Sequence, residues 1–392
     1  MSKSVFISSG EESGDLHGAS LIHALKRLDP GLRVAGMGGS RMREAGLVGL
    51  DSKEVSVVGI TEVIGKSPQI LKAFSELKKL LSGRRFDAVI LIDFPDFNLH
   101  FAKAAKKTGV PIIYYISPQV WAWRRGRVKK IASLVDKMLV VLPFEADIYR
   151  QAGVDVEYVG HPLYSAAVCP LTRIEARAKL RLAGFETVIS LLPGSRTTEV
   201  ERLLPLMLRA AANITDIKKL PGKNTAFILP AADSIEDELL GGILKASPLP
   251  VKVFRKETYA ALRASDAAVV ASGTATLEAA LIGTPMVIVY KISPLTYRIG
   301  KMLINAPHIG LPNIIAGAEV VKELIQDEAT PENIAAEIAD ILKNPARRND
   351  IIKGYDEVRK KLGASTGTSG DSPAVDRAAA AIFKVMGRHG SN

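Results

Sequence analysis

Short apolar segments alternate with amphipathic segments along this chain, and the alternation occurs in two separate sets. Strand and helix signals that repeat at this spacing are typical of a parallel sheet covered by helices on both faces. We therefore expect an α/β fold with two doubly wound, Rossmann-like domains of similar size. The predicted strands are Val5–Ser8, Arg33–Met37, Ala88–Asp93, Ile112–Ser117, Lys137–Leu142 and Asp155–Val159 in the first set, and Val188–Leu192, Ala226–Pro230, Val251–Phe254, Ala267–Ala271 and Met286–Tyr290 in the second.

The alternation breaks at Gly160-His161-Pro162-Leu163, and 392 residues are more than one ordinary core holds. We predict an N-terminal domain over residues 1–163 and a C-terminal domain over 164–362. Residues 363–392 then form a patch rich in Gly, Ser and Thr, followed by an Ala-rich helix.

Charge and cysteine content narrow the class of protein. The net charge of +11 favours anionic partners such as nucleic acid, anionic lipid or phosphorylated substrates. The single cysteine, Cys169, excludes an internal disulfide framework and a Cys-based zinc site, and it fits a reducing cytoplasm. No apolar run reaches the ~18 residues of a membrane span, and the N-terminus is interpreted as a first strand and not a signal peptide. Any membrane contact is expected to be peripheral.

Two predicted strand ends carry phosphate-type turns. Gly194-Ser195-Arg196 follows an apolar run and precedes a helical pattern, so backbone N–H groups, a helix N-terminus and a cation would face one anion. Ser272-Gly273-Thr274 repeats the arrangement, and Glu278 lies one turn inside the following helix, where a carboxylate could accept two ribose hydroxyls. The structural alternatives are a turn with a surface arginine, and Ser272 or Thr274 as a helix N-cap. We expect a nucleotide between the two domains.

Two further segments follow N-terminal strands. Asp93 comes directly after four apolar residues and is a candidate general base, whose pKa apolar neighbours would raise. Asp96 is interpreted as the cap of a helix that starts near Asn98. Gly14 and Asp15 end a Gly-containing turn that could approach a ligand closely, with Ser13 or Asp15 as a helix cap in the alternative.

The remaining candidates are aromatic, basic or polar. Trp121, Trp123 and Arg124 begin a basic segment that suits a membrane interface, an anionic lipid head group or a nucleic acid, or else a core Trp pair. Lys291 could cover an anionic acceptor or face solvent. Asn313 could bind phosphate or complete a turn.

Together these segments resemble the lipid-A-disaccharide synthase family along nearly the whole chain. The resemblance implies an inverting glycosyltransferase of the two-Rossmann GT-B fold, with a cleft between the domains and a C-terminal helix that returns to the N-terminal domain. It implies transfer of 2,3-diacylglucosamine from UDP to the 6-hydroxyl of 2,3-diacylglucosamine 1-phosphate, without a metal or cofactor. The segments that carry it are Gly10–Asp15, Ser56–Val63, Asp93–Asn98, Ser117–Trp123, Pro143–Glu145, Gly160–Leu163, Leu191–Arg196, Ala271–Glu278 and Leu311–Ala316.

The resemblance also implies roles for residues. Asp93 matches the catalytic base and Arg196 the cation beside the departing diphosphate. Glu278 matches a ribose contact, and the phosphate surroundings are matched by Gly194, Ser195, Ser272, Gly273, Thr274 and Asn313. The acceptor or its lipid would be met by Gly14, Asp15, Trp121, Trp123, Arg124 and Lys291. An apolar berth for acyl chains is expected within residues 57–80, where an ordinary packed helix is the alternative.

The implied location is the cytoplasmic face of the inner membrane, with an anionic membrane surface and no nucleic acid as partner; a homodimer is left open. Ser165 stands where the family commonly has Asp, which puts a hinge contact in doubt and leaves the chemistry untouched. Two other functions fit the same pattern: a sugar-nucleotide epimerase of the same fold, and a non-enzymatic peripheral protein that senses nucleotides.

Overall fold

The computed structural model describes residues 2–52, 68–118, 127–216, 224–247, 249–292, 307–364 and 373–389. The chain divides into two compact units. Unit 1 comprises Met1–Pro162 together with Ala364–Asn392, and unit 2 comprises Leu163–Gly363. Each unit is built around one parallel sheet, so the expected α/β fold with two Rossmann-like halves is confirmed.

The described residues of unit 1 form a seven-stranded parallel sheet in the order β3-β2-β1-β4-β5-β6-β7. Strands β1, β4 and β5 are buried along their whole length, because helices cover both faces of a parallel sheet. The elements are β1 Ser4–Ser9, α1 Glu12–Leu28, β2 Arg33–Gly38, α2 Ser40–Glu44, β3 Leu47–Asp51, α3 Pro68–Ser82, β4 Ala88–Ile92, α4 Pro95–Ala105, a 3-10 turn Lys106–Thr108, β5 Ile112–Tyr115, α5 Arg127–Leu134, β6 Lys137–Val140, α6 Glu145–Gln151 and β7 Val156–Tyr158.

The described residues of unit 2 form a six-stranded parallel sheet in the order β10-β9-β8-β11-β12-β13. The central strands, Thr187–Leu192 and Ala267–Ala271, are again buried along their whole length. The elements from the unit boundary onward are α7 Pro162–Ala166, α8 Arg173–Lys179, β8 Thr187–Leu192, α9 Thr197–Asp216, β9 Thr225–Ala231, α10 Asp237–Lys245, β10 Val251–Arg255, α11 Thr258–Ala264, β11 Ala267–Ala271, α12 Thr274–Ile282, β12 Met286–Tyr290, α13 Leu311–Ala316, β13 Glu323–Ile325, α14 Pro331–Lys343 and α15 Pro345–Ala364.

The last helix, α16 (Ala374–His389), belongs to unit 1 and packs against α1. The Nε of Arg377 donates a hydrogen bond to the carbonyl of Val159 at 2.8 Å. Gly160 has a φ of +86°, and a Cβ there would lie 2.1 Å from Arg377 Nη2, so only glycine leaves room for the guanidinium. The expectation of a C-terminal helix that returns to the N-terminal half is confirmed.

No helix within the described ranges combines the length and apolar character that crossing a membrane requires.

Candidate active site

The two phosphate-type turns of unit 2 leave the same edge of its sheet from neighbouring strands. β8 and β11 pair in parallel, with Leu192 opposite Val270. The turn around Gly194 and the turn around Gly273 therefore begin side by side, and each opens a helix, α9 or α12. Ligands of open parallel sheets bind at the carboxyl ends of the strands, which is where these turns lie.

The first turn already holds an anionic group of the chain itself. The backbone N–H of Ser195 donates to Glu199 Oε2 at 3.3 Å, and Arg196 Nη1 lies 3.5 Å from Glu199 Oε1. Gly194 has a φ of +113°, and a Cβ there would lie 2.2 Å from Glu199 Oε2. Ser234 Oγ fixes the turn from the other side by donating to the Ser195 carbonyl at 2.7 Å. The geometry favours a negative group, as expected at a helix N-terminus.

The second turn has glycine at the N-cap of its helix. Gly273 occupies that position with a φ of +155°, so the alternative of Ser272 or Thr274 as the N-cap is wrong. Ser272 Oγ instead donates to the carbonyl of Ile309 at 3.2 Å. Thr274 is the first residue of α12 and is exposed, which leaves its hydroxyl at the helix N-terminus.

Asn313 is the third residue of the short helix α13. Its side chain is fully buried, and Nδ2 donates to the carbonyl of Val321 and to Glu323 Oε1, both at 2.8 Å. Its Oδ1 accepts the N–H groups of Val320 and Val321. All four hydrogen-bonding positions of the amide are thereby used within unit 2, so a direct phosphate contact by this side chain would require one of these bonds to break.

Glu323 connects Asn313 to the Ser272 turn. Its two carboxylate oxygens accept the N–H groups of Ile309 and Gly310, each at 2.9 Å. Ile309 is the residue whose carbonyl receives the Ser272 hydroxyl. The pair of Asn313 and Glu323 thus holds the backbone on which Ser272 rests. Glu323 is not among the residues predicted from the sequence, although a carboxylate beside the apolar pair Leu324-Ile325 was a usable signal.

Glu278 faces a cavity of about 630 Å³ within unit 2. Tyr259 donates a hydrogen bond to Glu278 Oε1 at 3.1 Å. Burial raises the pKa of Glu278, and the hydrogen bond from Tyr259 opposes that rise. A carboxylate beside such a cavity has the chemistry to accept hydroxyl groups of a sugar.

Lys291 lies at the end of β12 and is exposed. Its Nζ lies 3.5 Å from the carbonyl of Ala329, while its own carbonyl accepts from Arg202 Nη1 at 3.4 Å. Gln326 fixes the next residue, Ile292, through both its N–H and its carbonyl. Lys291 is therefore a cation at the edge of the unit 2 sheet where the strands have their carboxyl ends and where the two phosphate-type turns lie.

In unit 1, Asp93 stands at the carboxyl end of β4 in an uncommon backbone conformation. Asp93 and Phe94 have φ values of +45° and +48°, which non-glycine residues rarely adopt. Each such residue costs about 1–2 kcal/mol. The Asp93 carbonyl accepts hydrogen bonds from Asn98 Nδ2 at 2.8 Å and from the Tyr114 hydroxyl at 2.7 Å. From the sequence, Asn98 was predicted only as a helix start, and Tyr114 was not predicted as part of the site.

Asp96 does not cap α4, and that prediction is wrong. The helix begins at Pro95 with Phe94 at its N-cap. Asp96 Oδ1 instead pairs with Arg127 Nη2 at 2.5 Å, and both side chains are largely buried. A partner that is distant in sequence has therefore taken the Asp96 carboxylate from the helix end.

The N-terminal turn also differs from its predicted caps. Glu11 is the N-cap of α1, so neither Ser13 nor Asp15 caps that helix. The buried carboxylate of Asp15 accepts the N–H groups of Arg41 at 3.1 Å and Met42 at 3.0 Å, at the start of α2. Gly14 packs where a Cβ would lie 2.2 Å from Ser9 Oγ. Gly14 and Asp15 thus shape the backbone at the ends of β1 and β2.

The aromatic–basic candidates Trp121, Trp123 and Arg124 lie outside the described residues, as does much of the expected acyl berth (57–67). The described part of that berth is α3. Its Leu71 is 55% exposed, and a shallow groove of about 360 Å³ lies beside it, lined by Phe74, Lys78 and Lys79. Among the described residues, no three His, Cys, Asp or Glu side chains meet as metal ligands would.

Comparison with known proteins adds to this geometry. The family model described as "Lipid-A-disaccharide synthetase" matches residues 5–372. The chain is 50% identical over 364 residues to the lipid-A-disaccharide synthase of Syntrophus aciditrophicus, covering 92% of this chain and 94% of that one. It is 48% identical over 387 residues to that of Geobacter metallireducens, covering 98% of both chains.

Solved structures share the fold at low identity. MurG of Acinetobacter baumannii is 13% identical with a TM-score of 0.59, covering 98% of this chain and 100% of that one. A UDP-GlcNAc 2-epimerase of Neisseria meningitidis is 12% identical with a TM-score of 0.57, covering 99% and 100%. The fold therefore does not separate transferase from epimerase, whereas the family match does. With its two Rossmann-like units and a match along nearly its whole length, the chain belongs to the lipid-A-disaccharide synthase family of glycosyltransferases.

Proposed function

We propose that Asp93 is the general base and Arg196 the diphosphate-binding cation of the glycosyl transfer that defines this family. In that reaction, 2,3-diacylglucosamine moves from UDP to the 6-hydroxyl of 2,3-diacylglucosamine 1-phosphate. The acceptor oxygen forms a bond to the anomeric carbon while its proton passes to the Asp93 carboxylate. The bond from the anomeric carbon to the diphosphate breaks, and its electron pair leaves with UDP. Attack from the face opposite UDP gives the β-1,6-linked disaccharide 1-phosphate.

The support for Asp93 is its position and its backbone. It follows a fully buried strand at the carboxyl edge of the unit 1 sheet, and two buried side chains hold its carbonyl. A rare backbone conformation that its surroundings stabilise is frequent at catalytic positions. The neighbouring Asp96 forms an ion pair with Arg127 and belongs to the first turn of α4.

The support for a UDP site in unit 2 is the pair of helix N-termini that leave neighbouring strands, with the 69% exposed Arg196 side chain beside the first. This pair is the observation that carries the proposal. Backbone N–H groups and an arginine beside them can stabilise a departing diphosphate without a metal. We assign the phosphates to Gly194, Ser195, Arg196, Ser272, Gly273 and Thr274, and the ribose to Glu278. Asn313 acts through the backbone that it holds.

We assign Lys291 to contact with an anionic group of the acceptor. Gly14 and Asp15 are assigned an indirect role, in which they hold the backbone at the carboxyl ends of β1 and β2. Trp121, Trp123 and Arg124 suit a lipid head group by their chemistry. The net charge of +11 and the apolar, lysine-bearing face of α3 favour a peripheral contact with an anionic membrane surface. We place that contact at the cytoplasmic face of the inner membrane.

A turnover assay tests the proposal. The purified chain is supplied with UDP-2,3-diacylglucosamine, with and without 2,3-diacylglucosamine 1-phosphate, and the products are identified by mass spectrometry. We expect UDP and a disaccharide 1-phosphate only when the acceptor is present. Addition of EDTA, which removes divalent metal ions, should not change this result. Conversion of the donor sugar without the acceptor would instead identify an epimerase.

A further inference from the structure

We propose that Asn98 is a positioning residue of the transfer reaction, which fixes the direction of the Asp93 carboxylate by holding the Asp93 backbone, with Tyr114 as the second support. This inference rests on the proposed role of Asp93 as the base. Asn98 itself is not expected to touch either substrate, since its side chain is fully buried.

The side chain of Asn98 joins the carboxyl ends of two neighbouring strands. Its Nδ2 donates to the Asp93 carbonyl at 2.8 Å and to the Ile92 carbonyl at 3.2 Å, and it lies 3.4 Å from the Ser8 carbonyl. Ser8 Oγ donates to Asn98 Oδ1 at 2.8 Å. Because a hydroxyl donor faces Oδ1 and carbonyl acceptors face Nδ2, only one orientation of the amide satisfies all these groups.

The Asp93 carbonyl accepts a second hydrogen bond from β5, the strand that pairs with β4 on the side away from β1. The Tyr114 hydroxyl lies 2.7 Å from it, and burial raises the pKa of Tyr114 well above its usual value, so the group stays a donor. With two donors in place, the peptide plane between Asp93 and Phe94 has one orientation. That plane determines the ψ of Asp93 and the φ of Phe94, the residues with positive φ.

The two hydrogen bonds to the Asp93 carbonyl stabilise the uncommon backbone conformation of Asp93 and Phe94. Without the two donors, Asp93 and Phe94 would relax toward negative φ, which would swing the Asp93 side chain away from its present direction. A general base works only within hydrogen-bonding distance of the proton that it accepts. A displacement of about 1 Å at such a group costs about 100-fold in rate.

The experiment uses two nearly isosteric variants of the full chain. Asn98→Asp removes both amide donors, and Tyr114→Phe removes one hydroxyl. We expect kcat to fall about 100-fold in Asn98→Asp and about tenfold in Tyr114→Phe. The KM for the UDP-linked donor, and the affinity and stoichiometry of UDP binding, should stay unchanged, because the UDP site is assigned to unit 2. If Asn98→Asp does not fold, Tyr114→Phe still tests the inference.

A double-mutant cycle separates positioning from general stability. Asn98→Asp and Tyr114→Phe are repeated in an Asp93→Ala chain, where neither should lower the residual rate further if both act through Asp93. The same loss in both backgrounds would overturn the inference. As the matched control, Thr284→Val removes a buried hydrogen bond to the Leu262 carbonyl in unit 2 and should lower Tm without lowering kcat.

The variants distinguish a failure of the base role of Asp93 from a failure of the positioning role of Asn98. Full turnover by Asp93→Ala overturns the base assignment, and the positioning role with it. Loss of turnover in Asp93→Ala, combined with wild-type kcat in Asn98→Asp or Tyr114→Phe, overturns the positioning role alone.

Discussion

The carboxylate of Glu199 accepts the backbone N–H of Ser195 at 3.3 Å, inside the turn that we assign to the UDP phosphates. An acidic side chain of the same helix thus uses the N–H group that a phosphate oxygen would use. UDP and Glu199 are therefore expected to compete for this turn.

The competition predicts that Glu199→Gln tightens UDP binding. The gain should be about two- to fivefold, because one charge at a helix N-terminus is worth about 0.3–1 kcal/mol. Calorimetric titration at two salt concentrations measures it, and the gain should shrink as salt rises. Glu201→Gln makes the same charge change at an exposed position of α9 and serves as the control. Weaker binding by Glu199→Gln would show that the carboxylate supports the site.

Removing the proposed base should separate binding from chemistry. Asp93→Ala is expected to keep UDP affinity and to lower kcat by about 100- to 10,000-fold, the range that a general base contributes. Release of UDP in the presence of both substrates is the measurement. Asp96→Asn is the matched control, since it weakens the ion pair with Arg127 and leaves Asp93 in place. Near-normal turnover by Asp93→Ala would refute the assignment.

Removing the proposed diphosphate cation should affect binding and rate together. Arg196→Ala is expected to weaken UDP binding and to lower kcat as well, because a charge-assisted contact that strengthens in the transition state serves both. Arg209→Ala removes an exposed arginine farther along α9 and should change neither. Unchanged values for Arg196→Ala would remove this residue from the phosphate site.

Because the amide of Asn313 is buried, its substitution is expected to lower the stability of unit 2 and not the affinity for UDP directly. Asn313→Asp places a second carboxyl group against Glu323 and removes the donors to Glu323 and Val321. We expect a loss of about 3–5 kcal/mol in the free energy of unfolding of unit 2, as for a broken buried pair. Chemical denaturation measures it. An unchanged free energy of unfolding with weaker UDP binding would return Asn313 to the ligand surface.

Two histidines of unit 1, the half-buried His17 and the buried His161, predict sensitivity to acid. Burial lowers the pKa of His17 to about 4 and that of His161 to about 3, and the nearby His17 lowers the latter further. The unfolded chain binds these protons near pH 6.5 and the folded chain does not. The stabilisation is therefore complete above pH 6.5 and is lost as the pH falls toward those values, at about 1.4 kcal/mol per pH unit for each imidazole.

Urea denaturation between pH 7 and pH 4.5 measures this slope. His161→Gln should flatten it by about one proton, since a single titrating group has been removed. His23→Gln changes an exposed histidine of α1 and should leave the slope as it is. An equally steep slope in His161→Gln would contradict the prediction.

The predictable part of the fold was the set of strands at the centre of each sheet. Ala267–Ala271 and Met286–Tyr290 were predicted with the bounds that the structure has, because a strand buried on both faces must be a continuous apolar run. The strands Leu47–Asp51 and Glu323–Ile325 were missed. Both lie at the edges of their sheets, where partial burial removes the need for such a run.

The caps were not predictable, for a different physical reason. Asp15 and Asp96 have the residue type and the spacing of helix caps, but Asp15 accepts from residues 26 and 27 positions away and Asp96 pairs with a residue 31 positions away. Helix-cap rules consider only residues within a few positions of the cap, so they cannot predict partners that are this distant in sequence. Asn98 and Glu323 carried a weaker signal that was not used: a polar side chain next to apolar residues of a buried segment indicates a partner inside the protein.

Because α16 completes unit 1, the chain makes one compact unit from two pieces that are separated by about two hundred residues of the other. During synthesis, every residue of unit 2 leaves the ribosome before α16 does. Unit 2 can thus fold while α1 still lacks the helix that covers it, and the unit begun first is finished last.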